Sequence, residues 1–435
     1  MFSLAAGRQD FREYTAEEQS GSEPLNRINR ALSVRSRRLV IGVAIDRDFM
    51  QIQGALLAAT GHGKHMRVDF VSESAVAIPP AIGQHFRSLL MNKEIDLTSL
   101  ASAAADLGEI QAIATRKLTT QAGKYLDRIL AVAVTDPGIH GHDFDGQPIQ
   151  LSISNPAIIA ERSGLNVIDA FPAQDIQVGG DGSTLEALPL WLFLADRSRK
   201  VSRIDRILVD LDSGPTPTLY YIPASDGKDN DVPNLKVMYY DGQRFVPKSF
   251  GRLPLKFDAH ADRAAGKPVF NIESTADCRQ LLAATNQCID TISGGLPVQL
   301  LWFAGGRQTA ELDQIRDGEK TGSPQSTQST QPFSKIDGSS RQQPLTADES
   351  IERSVPLTRW LTWADHPVQS LSAITTGLLG LMHIDQMPAN LPWLTGGSKL
   401  RILGRLTPGR PTSWRNLIRT MADLHPPIMK LKDAV

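Results

Sequence analysis

The sequence predicts a two-lobed α/β protein, on three observations. Strand-like runs open the folded part, helical patterns follow, and a second set of strands with late helices completes it. That order is expected of two α/β halves holding ligand in the crevice between them. The chain has 435 residues, enough for two or three domains at roughly 150 residues each. Hydrophobic residues make up 41% of it, ample for buried cores.

The elements follow in order. Residues 38–45 (RLVIGVAI), 50–58 (MQIQGALLA) and 66–72 (MRVDFVS) are β-branched or alternating and separated by short polar turns. They read as an antiparallel meander, with Met66, Val68 and Phe70 on one face. Helices are expected over 82–91 and 97–118, the second opened by Asp96 and Thr98 as a capping signal. A buried strand covers 129–134 (ILAVAV), polar loop follows, and strand returns at 149–153. A helix over 156–163 should stop at Gly164, which can adopt the left-handed conformation of a helix C-cap. Strand 167–170 and helix 185–197 complete the first half. The second half brings strands at 207–211, 218–222, 236–240 and 299–303, with helical material at 357–363 and 370–382. Residues 1–37 lack a sustained apolar period and read as a flexible segment. Residues 317–354, rich in Ser, Thr, Gln, Gly and Pro, cannot bury enough apolar surface to offset their ordering entropy and read as a disordered insertion. The expected organisation is a first lobe over 38–205, a second over 206–415 interrupted by that insertion, and a tail over 416–435.

Charge and motifs narrow the function. Lys plus Arg number 46 and Asp plus Glu 47, a net charge of −1. This balance argues against a nucleic-acid binder. The longest apolar stretch, 187–195, is far short of the roughly 20 residues a membrane span needs, and the N-terminus meets charge too early for a secretory signal. Cys278 and Cys288 make no disulfide framework and lack metal-ligand spacing, which points to a reducing compartment and a cytoplasmic protein. No phosphate loop of the form G-x-x-x-x-G-K-[ST] occurs, nor H-E-x-x-H, C-x-x-C or G-x-S-x-G. His140, His142, Asp143 and Asp145 lie close together, but ordinary solvated loop chemistry explains them better than a metal, and no metal site is assigned.

One stretch is specific. Residues 167–185 read VIDAFPAQDIQVGGDGSTL. This resembles the segment of anhydro-N-acetylmuramic acid kinases that runs V-x-D-F-R-x-x-D-x-A-x-G-G-Q-G-A-P-L, with Phe171, Asp175, Gly179, Gly180, Gly182 and Leu185 in register. Residues 149–165 (IQLSISNPAIIAERSGL) resemble that family's L-Q-I-G-x-x-x-x-I-A-x-x-T-G-I, residues 386–396 (QMPANLPWLTG) its G-x-P-G-N-x-P-S-V-T-G-A, and Leu403-Gly404 the leucine-glycine soon after it. Ile41-Gly42-Val43 sits where the family's first strand begins. The match is colinear over about 38–408 and weakest over 225–295.

The resemblance implies the actin/hexokinase/Hsp70-like fold, two ribonuclease H-like lobes with ATP between them. It implies a phosphotransferase in which water opens the 1,6-anhydro ring of a muramic acid sugar while the freed oxygen takes the γ-phosphoryl of ATP, a step in peptidoglycan sugar recycling, with Mg2+ accompanying the ATP. Asp175 corresponds to the family's general base. A carboxylate among glycines can approach substrate closely, and burial can tune its pKa. The same residue type also caps turns. Gly179, Gly180, Gly182 and His140 correspond to the sugar side.

The chain departs from the family at the nucleotide side. The family's M-S-G-T-S-x-D-G-x-D hairpin, which holds the phosphates, is replaced by residues 44–53, with Asp46, Arg47 and Asp48 in the turn. Each aspartate would oppose triphosphate by up to about 4 kcal/mol at about 4 Å and an effective dielectric near 20; Arg47 offsets part of this. The N-I-G-G-I-A-N loop becomes 210–216, leaving Asp212 and Gly214. The adenosine loop G-G-G-x-x-N is reduced to Gly305 and Gly306. The arginines after the D-F pair become 172–174, the S-H-G-Q-T-x-x-H loop falls at 135–140, Asp258 is what remains of the D-T-G-P-G-N turn, and the glutamate of the late helix becomes Ser372. Phosphoryl transfer depends almost wholly on positioning and electrostatics. Two readings therefore stand: a sugar kinase using ATP and Mg2+, or a kinase-like protein that needs neither and binds a cell-wall amino sugar or a protein partner without catalysis. Monomer and homodimer both remain open.

Overall fold

The computed structural model describes residues 37–46, 48–91, 95–135, 138–142, 148–195, 204–211, 216–225, 234–248, 275–294, 296, 298–303, 357–363, 366–367 and 370–424. The flexible segment expected over 1–37, save Arg37, and the insertion over 317–354 lie outside them.

Two six-stranded sheets carry the fold. In the first, β1 (Arg38–Ile45), β2 (Gln51–Thr60) and β3 (Arg67–Ala77) form the expected antiparallel meander. β4 (Ile129–Val134) runs parallel to β1, and β7 (Asn166–Asp169) runs parallel to β4. The second sheet repeats the plan. β8 (Asp205–Asp210), β9 (Thr218–Ile222), β10 (Lys236–Tyr240) and β11 (Phe245–Pro247) are antiparallel, while β12 (Val298–Phe303) and β13 (Leu357–Trp360) add in parallel beside β8. A small hairpin, β5 (Ile139–His142) with β6 (Pro148–Leu151), lies outside both. This repeated order is the two-lobed α/β architecture of the actin/hexokinase/Hsp70-like fold.

Both faces of each sheet are covered, which is why the central strands read as continuous apolar runs. On β1, Leu39, Ile41 and Val43 face an outer core with Phe86, Leu107 and Leu118, from α1 (Pro80–Met91) and α2 (Leu97–Ala122). Val40 and Ala44 face an inner core. On β8, Ile207 and Val209 face an outer core with Leu281 and Ile289 of α6 (Thr275–Ser293), and Leu208 faces the inner one. The inner core is shared. It holds α5 (Ala187–Leu194), buried along its whole length, and α7 (Leu371–Ile384), together with residues of both sheets. A helix buried on nearly every side belongs between layers, and these two are the filling.

Local signals set several boundaries. Asp96 accepts from the Ser99 amide at 2.8 Å and starts α2. Asn155 caps α3 (Pro156–Ser163), and Gly164, at φ 71°, ends it as expected. Ser370 caps α7 by accepting from the Ala373 amide at 3.2 Å. Gly42 and Gly377 let β1 and α7 meet backbone to backbone; a Cβ on Gly42 would overlap Ala373 and Gly377.

Three expectations need correction. Residues 357–363 are strand, not helix: β13 and β14 (Thr362–Trp363) occupy them, in keeping with the strand preference of Thr and Trp in LTRWLTW. Residues 371–424 return to the first sheet. There α7 packs on β1, and β16 (Arg405–Thr407) pairs with β7 through a bidentate ion pair of exposed Arg405 with fully buried Asp169. The expected second lobe over 206–415 thus contains chain that completes the first sheet. Finally, the expected tail begins inside a helix, α9 (Pro411–Leu424), which packs on β4.

Candidate functional site

The segment that follows β7 is built around one carboxylate. Ala170, at φ 56°, turns the chain into α4 (Phe171–Ile176), which carries Asp175. Asp175 is 0% exposed. Its Oδ2 accepts from the Gly182 amide at 3.0 Å, and its Oδ1 accepts from Asn390 Nδ2 at 3.0 Å and Thr395 Oγ1 at 2.9 Å. Thr395 ends a short helix, α8 (Pro392–Thr395), in the segment that resembles the family's late motif. The turn closes on Asp175 because Gly180 lacks a side chain; a Cβ there would overlap the carboxylate. Gly182 sits at φ 70°, a conformation that glycine adopts without strain.

Beyond Gly182 the chain becomes the wall of a cavity of about 330 Å³. Gly182, Ser183, Thr184, Leu185 and Glu186 form one side. Thr135, just after β4, and Ser372, Thr375 and Thr376 of α7 form a second. Asp210, Thr218, Tyr220 and Tyr239 come from the second sheet. The cavity therefore lies between the two sheets, at the C-terminal ends of β4 and β8, where open α/β sheets bind ligands. Asp175 does not line it. It stands one layer behind, touching the wall through Gly182.

The cavity's chemistry is carboxylate and hydroxyl. Tyr220 Oη donates to Glu186 Oε1 at 2.7 Å. Burial pushes the Tyr220 hydroxyl well above its usual range, and the charges of Glu186 and Asp210 add to this. Tyr239 is raised in the same way, by burial and then by Glu186 and Asp181. Thr376 Oγ1 donates to the Ser372 carbonyl at 2.7 Å, so Thr135, 2.9 Å from Thr376 Oγ1, is the donor between the two threonines. Asp210 is buried at the cavity edge, 2% exposed. Such a lining hydrogen-bonds a polyhydroxylated ligand and offers carboxylates to accept a proton.

The described residues include part of the expected nucleotide side, Asp46 and Asp48. Asp46 closes the β1–β2 turn on itself: its Oδ1 accepts from the Met50 amide at 2.7 Å and the Gln51 amide at 3.0 Å. Those amides are thereby satisfied within the chain. The Asp48 carbonyl accepts from Arg87 Nη1 at 2.7 Å, and Phe49, at φ 56°, is buried beside Phe86. Arg47, Asp212, Gly214, Gly305 and Gly306 lie outside the described residues, as does Asp258. Neither Lys nor Arg is among the residues lining the cavity, and Lys248 spends its ammonium on Asp181, Ser183 and Thr184. The described residues that line the cavity bring carboxylates and hydroxyls and no positive charge. Among the described residues no group of three His, Cys, Asp or Glu could hold a metal. Gly179 has open space about it, and His140 is on strand β5 rather than in a loop.

Sequence reading missed Thr135, Thr376, Glu186, Tyr220 and Tyr239 as site residues. One signal was available: Ser372, Thr375 and Thr376, at i, i+3 and i+4, draw a polar stripe along an otherwise apolar helix. The tyrosines carried no such mark.

Comparison with known proteins agrees with the motif reading. A family model described as Anhydro-N-acetylmuramic acid kinase matches residues 48–202, which include the whole glycine turn and α5. A relative of that name from Bordetella pertussis is 25% identical over 410 residues, covering 85% of this chain and 96% of the relative. One from Vibrio cholerae is 21% identical over 392 residues, covering 85% and 98%. One from Chromobacterium violaceum is 31% identical over 114 residues, covering 26% and 30%.

Proposed function

We propose that this chain is a divergent member of the anhydro-N-acetylmuramic acid kinase family, which it resembles over residues 48–202 and along 85% of its length, that it binds a peptidoglycan-derived 1,6-anhydro amino sugar in the cavity between its sheets, and that it has lost most or all ATP-dependent phosphorylation. The observation that carries this is the lining itself: hydroxyls from both sheets, the Glu186–Tyr220 pair and Asp210, with no Lys or Arg. A sugar ring presents hydroxyls that such groups hydrogen-bond, whereas a triphosphate would meet like charge. The Asp46 turn supports the last part of the proposal. A carboxylate that already takes the amides of Met50 and Gln51 stands where the family's hairpin offers amides and hydroxyls to phosphate.

In this reading Asp175 works as a support. Its three hydrogen bonds hold the glycine turn, and Asp210 and Glu186 are the carboxylates that face the sugar. The two lobes are the two sheets with their outer helices, and residues 371–424 belong with the first. Among the described residues no helix is long and apolar enough to cross a membrane.

Calorimetric titration and thermal shift with 1,6-anhydro-N-acetylmuramic acid and with Mg-ATP, separately and together, test the proposal. Saturating sugar should raise the melting temperature by mass action and Mg-ATP should not. ADP release on mixing sugar with Mg-ATP identifies a working kinase and overturns the loss of activity. Turnover that survives Asp175→Asn then excludes Asp175 as the base.

A further inference from the structure

Lys248 follows β11 at the far edge of the second sheet, yet its side chain is only 1% exposed. Its Nζ lies 2.9 Å from Asp181 Oδ2 and 3.2 Å from Oδ1, 2.6 Å from Ser183 Oγ and 2.7 Å from Thr184 Oγ1. All three partners belong to the glycine turn, and Ser183 and Thr184 line the cavity.

The proton directions are consistent throughout. Ser183 Oγ donates to Asp181 Oδ1 at 2.9 Å, and Thr184 Oγ1 donates to the Ser183 carbonyl at 2.6 Å. Each hydroxyl then has a lone pair free to accept from the ammonium, which has three protons to give. Thr184 is at φ 56°. For a β-branched residue this is a strained backbone, one that persists only when its surroundings over-determine it. The hydrogen bond from Lys248 to Thr184 Oγ1 is the tertiary contact that does so.

We propose that Lys248 is a positioning residue: by clasping Asp181, Ser183 and Thr184 it holds Thr184 in its left-handed conformation and so fixes the cavity wall from Gly182 to Glu186. The clasp ties the second sheet to the turn that Asp175 anchors from behind, so the wall keeps its shape only while both ends are held. Its effect on ligand binding rests on the sugar-binding reading above; its effect on the turn does not.

A double-mutant cycle with Lys248→Met and Thr184→Gly tests it in the full-length protein. The probe is 1,6-anhydro-N-acetylmuramic acid, and amide hydrogen exchange over 178–186 is read in parallel. Lys248→Met should weaken the sugar at least tenfold and speed exchange across the turn at least tenfold. In a Thr184→Gly background, where glycine takes φ 56° without strain, the same change should cost less than threefold in both readouts. Equal costs in the two backgrounds overturn the proposal, because a merely structural lysine would not depend on residue 184. Failure of the wild-type chain to bind the sugar overturns the functional reading alone, and exchange still decides the clasp. Should Lys248→Met not fold, Asp181→Asn removes the ion pair from the other side. Faster exchange over 182–186 in that variant supports the clasp, and unchanged exchange overturns it.

Discussion

The glycine turn around Asp175 and the wall of the second sheet around Asp210 each present a buried aspartate, and the two carboxylates stand in different surroundings. Asp175 has no exposure, and its carboxylate bonds Gly182, Asn390 and Thr395. Asp210 is nearly as buried but borders open volume, with the cavity before it and Tyr220 beside it. Burial alone therefore does not distinguish the two. What separates them is position: Asp175 stands behind the cavity wall and Asp210 lines the cavity.

The largest effect should come from breaking the closed side of that comparison. Asp175→Ala leaves the Asn390 amide, the Thr395 hydroxyl and the Gly182 amide without their acceptor in a buried site. Urea unfolding should show a loss of about 3–5 kcal/mol, at about 1–3 kcal/mol per orphaned group with partial relaxation. Gly180→Ala, which forces a methyl into the same carboxylate, should fall in the same range. A loss below about 1 kcal/mol for both would mean that the turn is not held by Asp175.

On the open side the balance should reverse. Asp210→Asn keeps the shape of the side chain and removes its charge, so unfolding free energy should change by about 1 kcal/mol or less, while affinity for the anhydro sugar falls at least tenfold, about 1.4 kcal/mol. Measuring both quantities on one preparation sharpens the contrast. A variant that loses stability but keeps affinity would place Asp210 with Asp175 as a structural acid.

The smallest effect is one of pH. The Tyr220 and Tyr239 hydroxyls are held above the usual tyrosine value of 10.0, chiefly by burial and then by nearby carboxylates. Once the pH passes that value the unfolded chain gives up these protons and the folded chain keeps them. The unfolded state then binds fewer protons, so stability present at neutral pH declines as the pH rises further. Tyr220→Phe removes one such group and its bond to Glu186, and should lower stability at pH 8 by about 1 kcal/mol. It should also make the fall between pH 9 and 11 shallower. An alkaline limb as steep as wild type would show that Tyr220 is not the group involved.

Much of the scaffold was legible because its signals are local. The apolar runs of β1 and β4, the Asp96 and Asn155 caps and the Gly164 stop each depend on residues within a few positions of one another. The glycine turn also stood out, through the spacing of Phe171, Asp175, Gly179, Gly180 and Gly182. The partners of Asp175 did not, because Asn390 and Thr395 lie over two hundred positions on. The bonds of the Asp46 turn were less legible for a related reason: only the folded hairpin brings the Met50 and Gln51 amides onto its carboxylate.

By itself, the sequence determined the strand and helix inventory of the first half, the repeated α/β plan and the family that the chain resembles. These follow from periodicity, capping and motif spacing, all short-range properties of a chain. Only the tertiary structure decided that residues 371–424 complete the first sheet, that α5 and α7 form the layer between the sheets, and which acids face the cavity. Those outcomes turn on packing and hydrogen-bond satisfaction between residues hundreds of positions apart, and a carboxylate's role depends on the donors that folding brings to it.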